Sequence, residues 1–229
     1  MVKNHLSRLD APVSWPMKRK GIKFVTRPSA GPHTLRESIP LSLILTHILK
    51  YARTRKEVKK ILNEGKIFVN GIVRKDLTFP VGLMDVVSVP SLQENYRVFY
   101  DTFGKFKLFP TTPEEKAIKL VQIVNKRIIS GGKVQINNSD GSNLLLGGKA
   151  DYHTGDTLLL SIPGTKVIEH LSLKNGARIY ITGGTKRGSV GTLKETKGHN
   201  IIVQGNEEVF ETAKRYAFVI GKLSGFDTK

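Results

Sequence analysis

The chain has 229 residues, no cysteine, and a formal net charge of +18 at pH 7, from 37 Lys and Arg against 19 Asp and Glu. The missing cysteines exclude disulfides, thiolate metal sites and cysteine nucleophiles, and a 39% hydrophobic share excludes a wholly disordered protein. No segment approaches the ~18 consecutive apolar residues of a membrane span, and the opening MVKNHLSRLD has no apolar signal region. A soluble, intracellular protein of two or three small domains is expected, with nucleic acid, not a membrane, as its polyanionic partner.

The excess charge is concentrated at the start. Residues 1–36 carry Lys3, Arg8, Lys18, Arg19, Lys20, Lys23, Arg27 and Arg36 against Asp10 alone, a net +7, together with Pro12, Pro16, Pro28 and Pro32. With little periodic apolar content this segment cannot build its own core, so residues 1–38 read as an extended basic arm ordered by what it touches. Trp15, the only tryptophan, either stacks on a base or anchors the arm in a groove of the folded body. Pro16, which restricts the adjoining backbone, favours the anchor.

After Pro40, the stripe Leu41, Ile44, Leu45, Ile48 and Leu49 has helical spacing, predicting a helix from Ser42 to Tyr51. A second helix follows in TRKEVKKILNEG, where Thr54 caps, Glu57 completes a capping box, and Gly65 ends the helix. Together they form a helical hairpin. KIFVNGIVRKD then places Asn70 and Gly71 where a tight hairpin turn requires left-handed backbone, and MDVVSVP supplies another strand.

From Leu92 the spacing becomes β-like, and a new domain is expected over 92–171. NYRVFYDTFGKFKLFP reads as two strands turning at Asp101–Gly104, with Tyr96, Phe99, Tyr100, Phe103, Phe106 and Phe109 as core and turn packing. PEEKAIKLVQIVNKRII reads as one helical turn and then a strand, and VQINN, SNLLLG and DTLLLSIP as three more. From Ser172, five short strands in RIYIT, SVGTLKET, NIIVQ, EVFETA and RYAFVIG suggest a small SH3-like barrel over 172–229.

Three basic constellations stand out as RNA-binding candidates. In the arm they are Arg8, Lys18, Arg19, Lys20, Lys23 and Arg27. On or beside the helical hairpin they are Lys50, Arg53, Arg55, Lys56, Lys59, Lys60 and Lys66, followed by Asn70, Arg74 and Lys75 around the turn. Helical spacing puts several of these opposite Val58, Ile61 and Leu62, which makes a phosphate-tracking face. The third is the loop GGTKRG, where Gly183, Gly184 and Gly188 surround Lys186 and Arg187 and suit a phosphate or a partner protein.

Catalytic patterns are weak. RLD at Arg8–Asp10 is similar to the catalytic segment of pseudouridine synthases, but it precedes the RNA-binding candidate and lacks a catalytic sheet behind it. GGK at 131–133 and at 147–149 fails the phosphate-loop pattern, since no Ser or Thr follows Lys133 or Lys149. The six histidines are scattered without ligand spacing, and His153 with Asp151 and Asp156 reads as a polar turn. No cofactor, metal or small-molecule substrate is expected, and no enzyme activity.

Three segments carry a family resemblance. ARTRKEVKKILNEGKIFVNGIVRKD resembles the S4-type RNA-binding domain, placed at 39–91. NGARIYITGGTKRGSVGTLKE, with Gly176, Gly183, Gly188 and Gly191, resembles a KOW motif. HLSRLDAPVSWPMKRKGIKFVTRPSAGPHTLRESIPL, with Trp15, Pro16, Arg19, Gly21, Phe24, Gly31, Pro32 and His33, completes a resemblance, along nearly the whole chain, to the S4e family of archaeal and eukaryotic small-subunit ribosomal proteins. The resemblance implies an α+β multidomain protein: basic arm, S4-type domain, central β domain and C-terminal KOW barrel. It implies a cytoplasmic structural constituent of the small ribosomal subunit that binds ribosomal RNA and neighbouring ribosomal proteins. The alternatives are a KOW-containing elongation or regulatory factor bound to polymerase, and an RNA-modifying enzyme.

Overall fold

A computed structural model describes residues 5–147, 151–205 and 208–221. It divides into two compact units, residues 1–100 with 104–116, and residues 101–103 with 117–229.

In the first unit the arm is not a free extension. Strand β1 (His5–Ser7) pairs antiparallel with β2 (Phe24–Thr26), so the segment doubles back on itself. Trp15 is 2% exposed and donates its indole N–H to the Ser38 carbonyl at 2.7 Å. The tryptophan is the anchor, and the arm takes its order from the body of this same unit. β3 (Ser38–Pro40) pairs with β6 (Pro80–Gly82), a pairing across some forty residues that local spacing does not reveal.

The expected first helix is shorter and distorted. An α-turn, α1 (Leu41–Leu43), runs into a π-helical turn over Ile44–Ile48, where Leu49 N–H donates to the Ile44 carbonyl at 2.9 Å, and Lys50 at φ +58° stops it. The wider turn keeps Ile44 and Leu45 fully buried. α2 (Arg55–Asn63) forms as its spacing predicts. Thr54 Oγ1 accepts from Glu57 N–H, and Glu57 Oε2 accepts from Arg53 N–H at 2.8 Å. Val58 and Leu62 sit in the core, and Gly65, at φ +71°, ends the helix in a conformation that a Cβ would strain.

β4 (Phe68–Val69) and β5 (Ile72–Val73) form the hairpin, with Asn70 at φ +50° and Gly71 at φ +74° in its turn. β7 (Val86–Val89), β8 (Glu94–Tyr100) and β9 (Phe106–Pro110) extend it into a sheet of order β5-β4-β7-β8-β9. Leu92 lies inside this sheet's connectivity, in the turn between β7 and β8. Phe99, Tyr100 and Phe106 are buried, but Phe103, expected to pack, is 86% exposed at the tip of the β8–β9 turn.

A 3-10 turn at Glu115–Ala117 leads from the first unit into β10 (Ile118–Ile128) of the second, the turn-then-strand order read from the sequence. β11 (Val134–Asn138), β12 (Asn143–Leu146), β13 (Thr157–Ser161) and β14 (Val167–Leu171) complete a sheet of order β12-β11-β10-β13-β14. β14 was not expected from VIEHL, whose partly buried residues, Val167, His170 and Leu171, do not alternate. Val121, Ile123, Val134, Ile136, Leu144, Leu158 and Leu160 form its core. Inside it, Lys119 and Asp140 pair at 2.8 Å with side chains 9% and 11% exposed.

The last five strands are β15 (Arg178–Ile181), β16 (Val190–Lys197), β17 (Asn200–Gln204), β18 (Val209–Ala213) and β19 (Ala217–Val219), in the order β18-β17-β16-β15-β19. β18 and β19 are its edges, around a core of Ile179, Ile181, Leu193, Ile201, Val203, Ala217 and Val219. The chain is therefore mostly β and multidomain, with its α-helices short and confined to 41–63 among the described residues, where an α+β class with a helical hairpin was expected. Among the described residues no helix is long and apolar enough to cross a membrane, and no group of three or more His, Cys, Asp or Glu is placed to hold a metal.

Candidate nucleic-acid interface

The amphipathic spacing of α2 fixes what its surface can do. With Val58 and Leu62 turned inward, Arg55, Lys56, Lys59 and Lys60 are left exposed, joined by Arg53 just before the cap. None of these five side chains makes a hydrogen bond or ion pair within the described residues. Lys56, Lys59 and Lys60 line a shallow depression with Asn63 and Glu64. Unpartnered cations on a rigid helix form a surface that a phosphate backbone can neutralise without breaking anything inside the protein.

The neighbouring candidates have different surroundings. Lys66 is paired with Glu64 at 2.6 Å, and this pairing holds the Glu64 carboxyl below its ordinary range. The Arg74 guanidinium lies over the Phe79 ring, 4.3 Å from its centroid. Asn70 donates from Nδ2 to Asp85 at 2.8 Å and accepts at Oδ1 from Val86 N–H at 2.9 Å, so both ends of its amide hold the hairpin turn. Its position follows the motif, while its side chain is engaged inside the fold.

The arm contains two kinds of cation. Arg19 donates to the carbonyls of Leu9 and Pro12 at 3.0 Å each, and Arg8 donates to the Lys18 carbonyl at 2.9 Å. These two guanidiniums tie the doubled-back segment to itself. Lys18, Lys20 and Lys23 project into solvent, Lys23 beside the Phe24 ring, and Arg27 is half-buried. In the glycine loop, Lys186 pairs with Glu208, and Arg187 donates to the Thr182 carbonyl at 2.7 Å. Both loop cations are partnered, which leaves less free charge there than on α2.

Sequence reasoning missed the fastening at Asp85. This carboxylate is fully buried, and it receives Asn70 Nδ2, Gly82 N–H at 2.8 Å and His33 Nε2 at 2.9 Å. A Cβ on Gly82 would run into the His33 ring, so glycine is required for the arm to close over the sheet. No local pattern announces a partnership across 52 residues.

Three family models match in succession: the RS4NT domain over residues 2–36, the S4 domain over 40–87, and ribosomal family S4e over 92–167. The small ribosomal subunit protein eS4 of Archaeoglobus fulgidus is 42% identical over 228 residues, covering 97% of this chain and 95% of that protein. The chain belongs to the S4e family. The eS4 of Methanocaldococcus jannaschii is 45% identical over 232 residues, covering 96% of this chain and 94% of its own length. A crystal structure of the 30S ribosomal protein S4e from Thermoplasma acidophilum superposes with a TM-score of 0.70 at 31% identity, over 81% of this chain and 95% of that one. Within the S4e family frame, α2 and the β4–β5 hairpin fall inside the S4-domain match, and the fastened arm inside the RS4NT match.

Proposed function

We propose that the chain is a structural constituent of the small ribosomal subunit in the cytoplasm, binding ribosomal RNA and catalysing nothing. The observation that carries this reading is the row of exposed, unpartnered cations Arg53, Arg55, Lys56, Lys59 and Lys60 on a capped helix inside the S4-domain match. The names of the archaeal relatives agree with it. Lys18, Lys20 and Lys23 extend the phosphate-neutralising surface along the arm, while Arg8, Arg19 and Asn70 act by holding the backbone that presents it. Lys66, paired with Glu64, Arg74, set against Phe79, and the half-buried Arg27 are assigned lesser parts in RNA binding.

The division into an arm at 1–38, an S4-type domain at 39–91, a central β domain at 92–171 and a KOW-type SH3-like domain at 172–229 is our reading of the modules; the strands at 94–110, which open the third, are hydrogen-bonded into the sheet of the second. Because Lys186 and Arg187 are partnered internally, we assign the glycine loop to docking on a neighbouring small-subunit protein. Sucrose-gradient fractionation of source cells tests the function. Comigration with the small subunit through a high-salt wash is expected; free protein, or protein bound to polymerase, would contradict it.

A further inference from the structure

The outer face of β10, β11 and β12 carries an arrangement that no part of the preceding site uses. In register, Asn125 faces Asn137 and Asn137 faces Asn143, while Arg127 faces Gln135 and Gln135 faces Leu145. Directly opposed residues share a face, so three carboxamides stand abreast across three strands, with a second row one pleat away. Rows of this kind have neighbours about 4.8 Å apart across strands. The opposite face of the same strands, through Val134, Ile136 and Leu144, is packed core. Asn125, Arg127 and Asn143 are exposed, and Gln135 and Asn137 half-buried.

Asparagine is disfavoured in strands, so strand propensity does not account for three abreast on a solvent face. Their internal use is slight: Asn125 Oδ1 accepts from Lys126 N–H, Asn137 Oδ1 accepts from Gln135, and Asn143 has no side-chain hydrogen bond within the described residues. Residues 123–147 carry Lys126, Arg127 and Lys133 against Asp140 alone, whose carboxylate is already taken by Lys119. At the tip, Ser130-Gly131-Gly132-Lys133 turns through φ +81° and +71° into open space, since a Cβ on either glycine meets nothing within 4 Å. This is the GGK sequence that fits no phosphate loop.

We propose that this face is a second RNA surface, reading the minor groove of an RNA duplex with its carboxamides while Arg127 and Lys133 take flanking phosphates. The proposal rests on the RNA-binding reading above and extends it to the second unit. A carboxamide both donates and accepts, matching a 2′-hydroxyl that does the same. The A-form minor groove is wide and shallow enough for a flat sheet, whereas the B-DNA minor groove, about 6 Å wide, is too narrow. Leu145, exposed and in line with Arg127 and Gln135, is the feature a protein partner would use instead. The positive charge and the amide rows favour RNA.

The test compares the full chain with a variant carrying Asn125→Ala, Asn137→Ala and Asn143→Ala. Each is bound to small-subunit rRNA from the source organism, and 2′-hydroxyl acylation is mapped. The variant is expected to lose one contiguous block of duplex protections and about a hundredfold in affinity, the order of three neutral hydrogen bonds, with the remaining protections intact. Should the triple variant fail to fold, Asn143→Asp alone, on the exposed edge strand, weakens the same block while melting like the parent. Protections unchanged in both variants would overturn the proposal. Unchanged protections with cross-links from position 145 to a ribosomal protein would overturn it in favour of a protein partner. If the parent chain itself fails to bind rRNA, the RNA-binding reading falls first.

Discussion

Arg19 in the arm and Lys59 on α2 contribute equally to the net charge, yet their surroundings give them opposite work. Arg19 is half-buried, with its guanidinium forked onto backbone carbonyls, whereas Lys59 stands exposed on a helix whose inner face is fixed by Val58 and Leu62. A planar guanidinium with five donors suits the first task, and a mobile ammonium suits the second. Composition locates the basic regions, and hydrogen-bond partners separate the cations that fasten from those left for RNA.

The largest effect that would sharpen this contrast is at the anchor. Trp15→Ala removes a buried ring and its bond to Ser38, and should cost about 3–5 kcal/mol of stability in denaturant unfolding. The lysines of α2 should still titrate RNA in whatever folded protein remains. An unchanged midpoint would mean the arm is not fastened by its tryptophan. Next, Arg19→Lys keeps the charge but cannot span several carbonyls. A loss of about 1–2 kcal/mol is expected, with no change in the salt dependence of RNA binding.

Acid offers a third test, in the second unit. Burial opposes charge on Asp140, but Lys119 and the hydrogen bonds from Ser142 outweigh it and hold the carboxyl below its ordinary range. Asp156 is likewise held low: burial again opposes its charge, and the Leu173 amide, His170 and the His153 amide outweigh it. A carboxyl depressed in the folded state stabilises above its unfolded pKa, and that contribution is lost as pH falls through the folded value. Thermal melts should therefore drop below about pH 4, and Asp140→Asn should flatten the decline. The smallest expected effect is Thr54→Ala, which removes the cap of α2 at about 1 kcal/mol and leaves the exposed lysines in place.

What the sequence revealed depended on distance along the chain. The Thr54 and Glu57 cap, the Asn70-Gly71 turn and the alternation of VQINN are decided within a few residues, and all were legible. The closure of His33 on Asp85, the β3–β6 pairing and the insertion of Trp15 under Ser38 depend on partners tens of residues away. The π-turn at Ile44–Ile48 was hidden because its apolar spacing is also that of an ordinary helix. Phe103 looked like core because it sits in an alternating run, yet it falls at the turn, where alternation no longer assigns a face. For the interface, the positions of the cations were legible and their partners were not.

The most direct measurement of this division is the salt dependence of binding to small-subunit rRNA for three proteins: the parent, a variant with Lys56, Lys59 and Lys60 each changed to Ala, and Arg19→Lys. The slope of log affinity against log salt should become shallower by about 2–3 for the lysine variant, at roughly 0.7–0.9 per lost phosphate contact, and stay at the parent value for Arg19→Lys. Equal slopes for the parent and the lysine variant, or a shallower slope for Arg19→Lys alone, would contradict the assignment of α2 to RNA and of Arg19 to the fold.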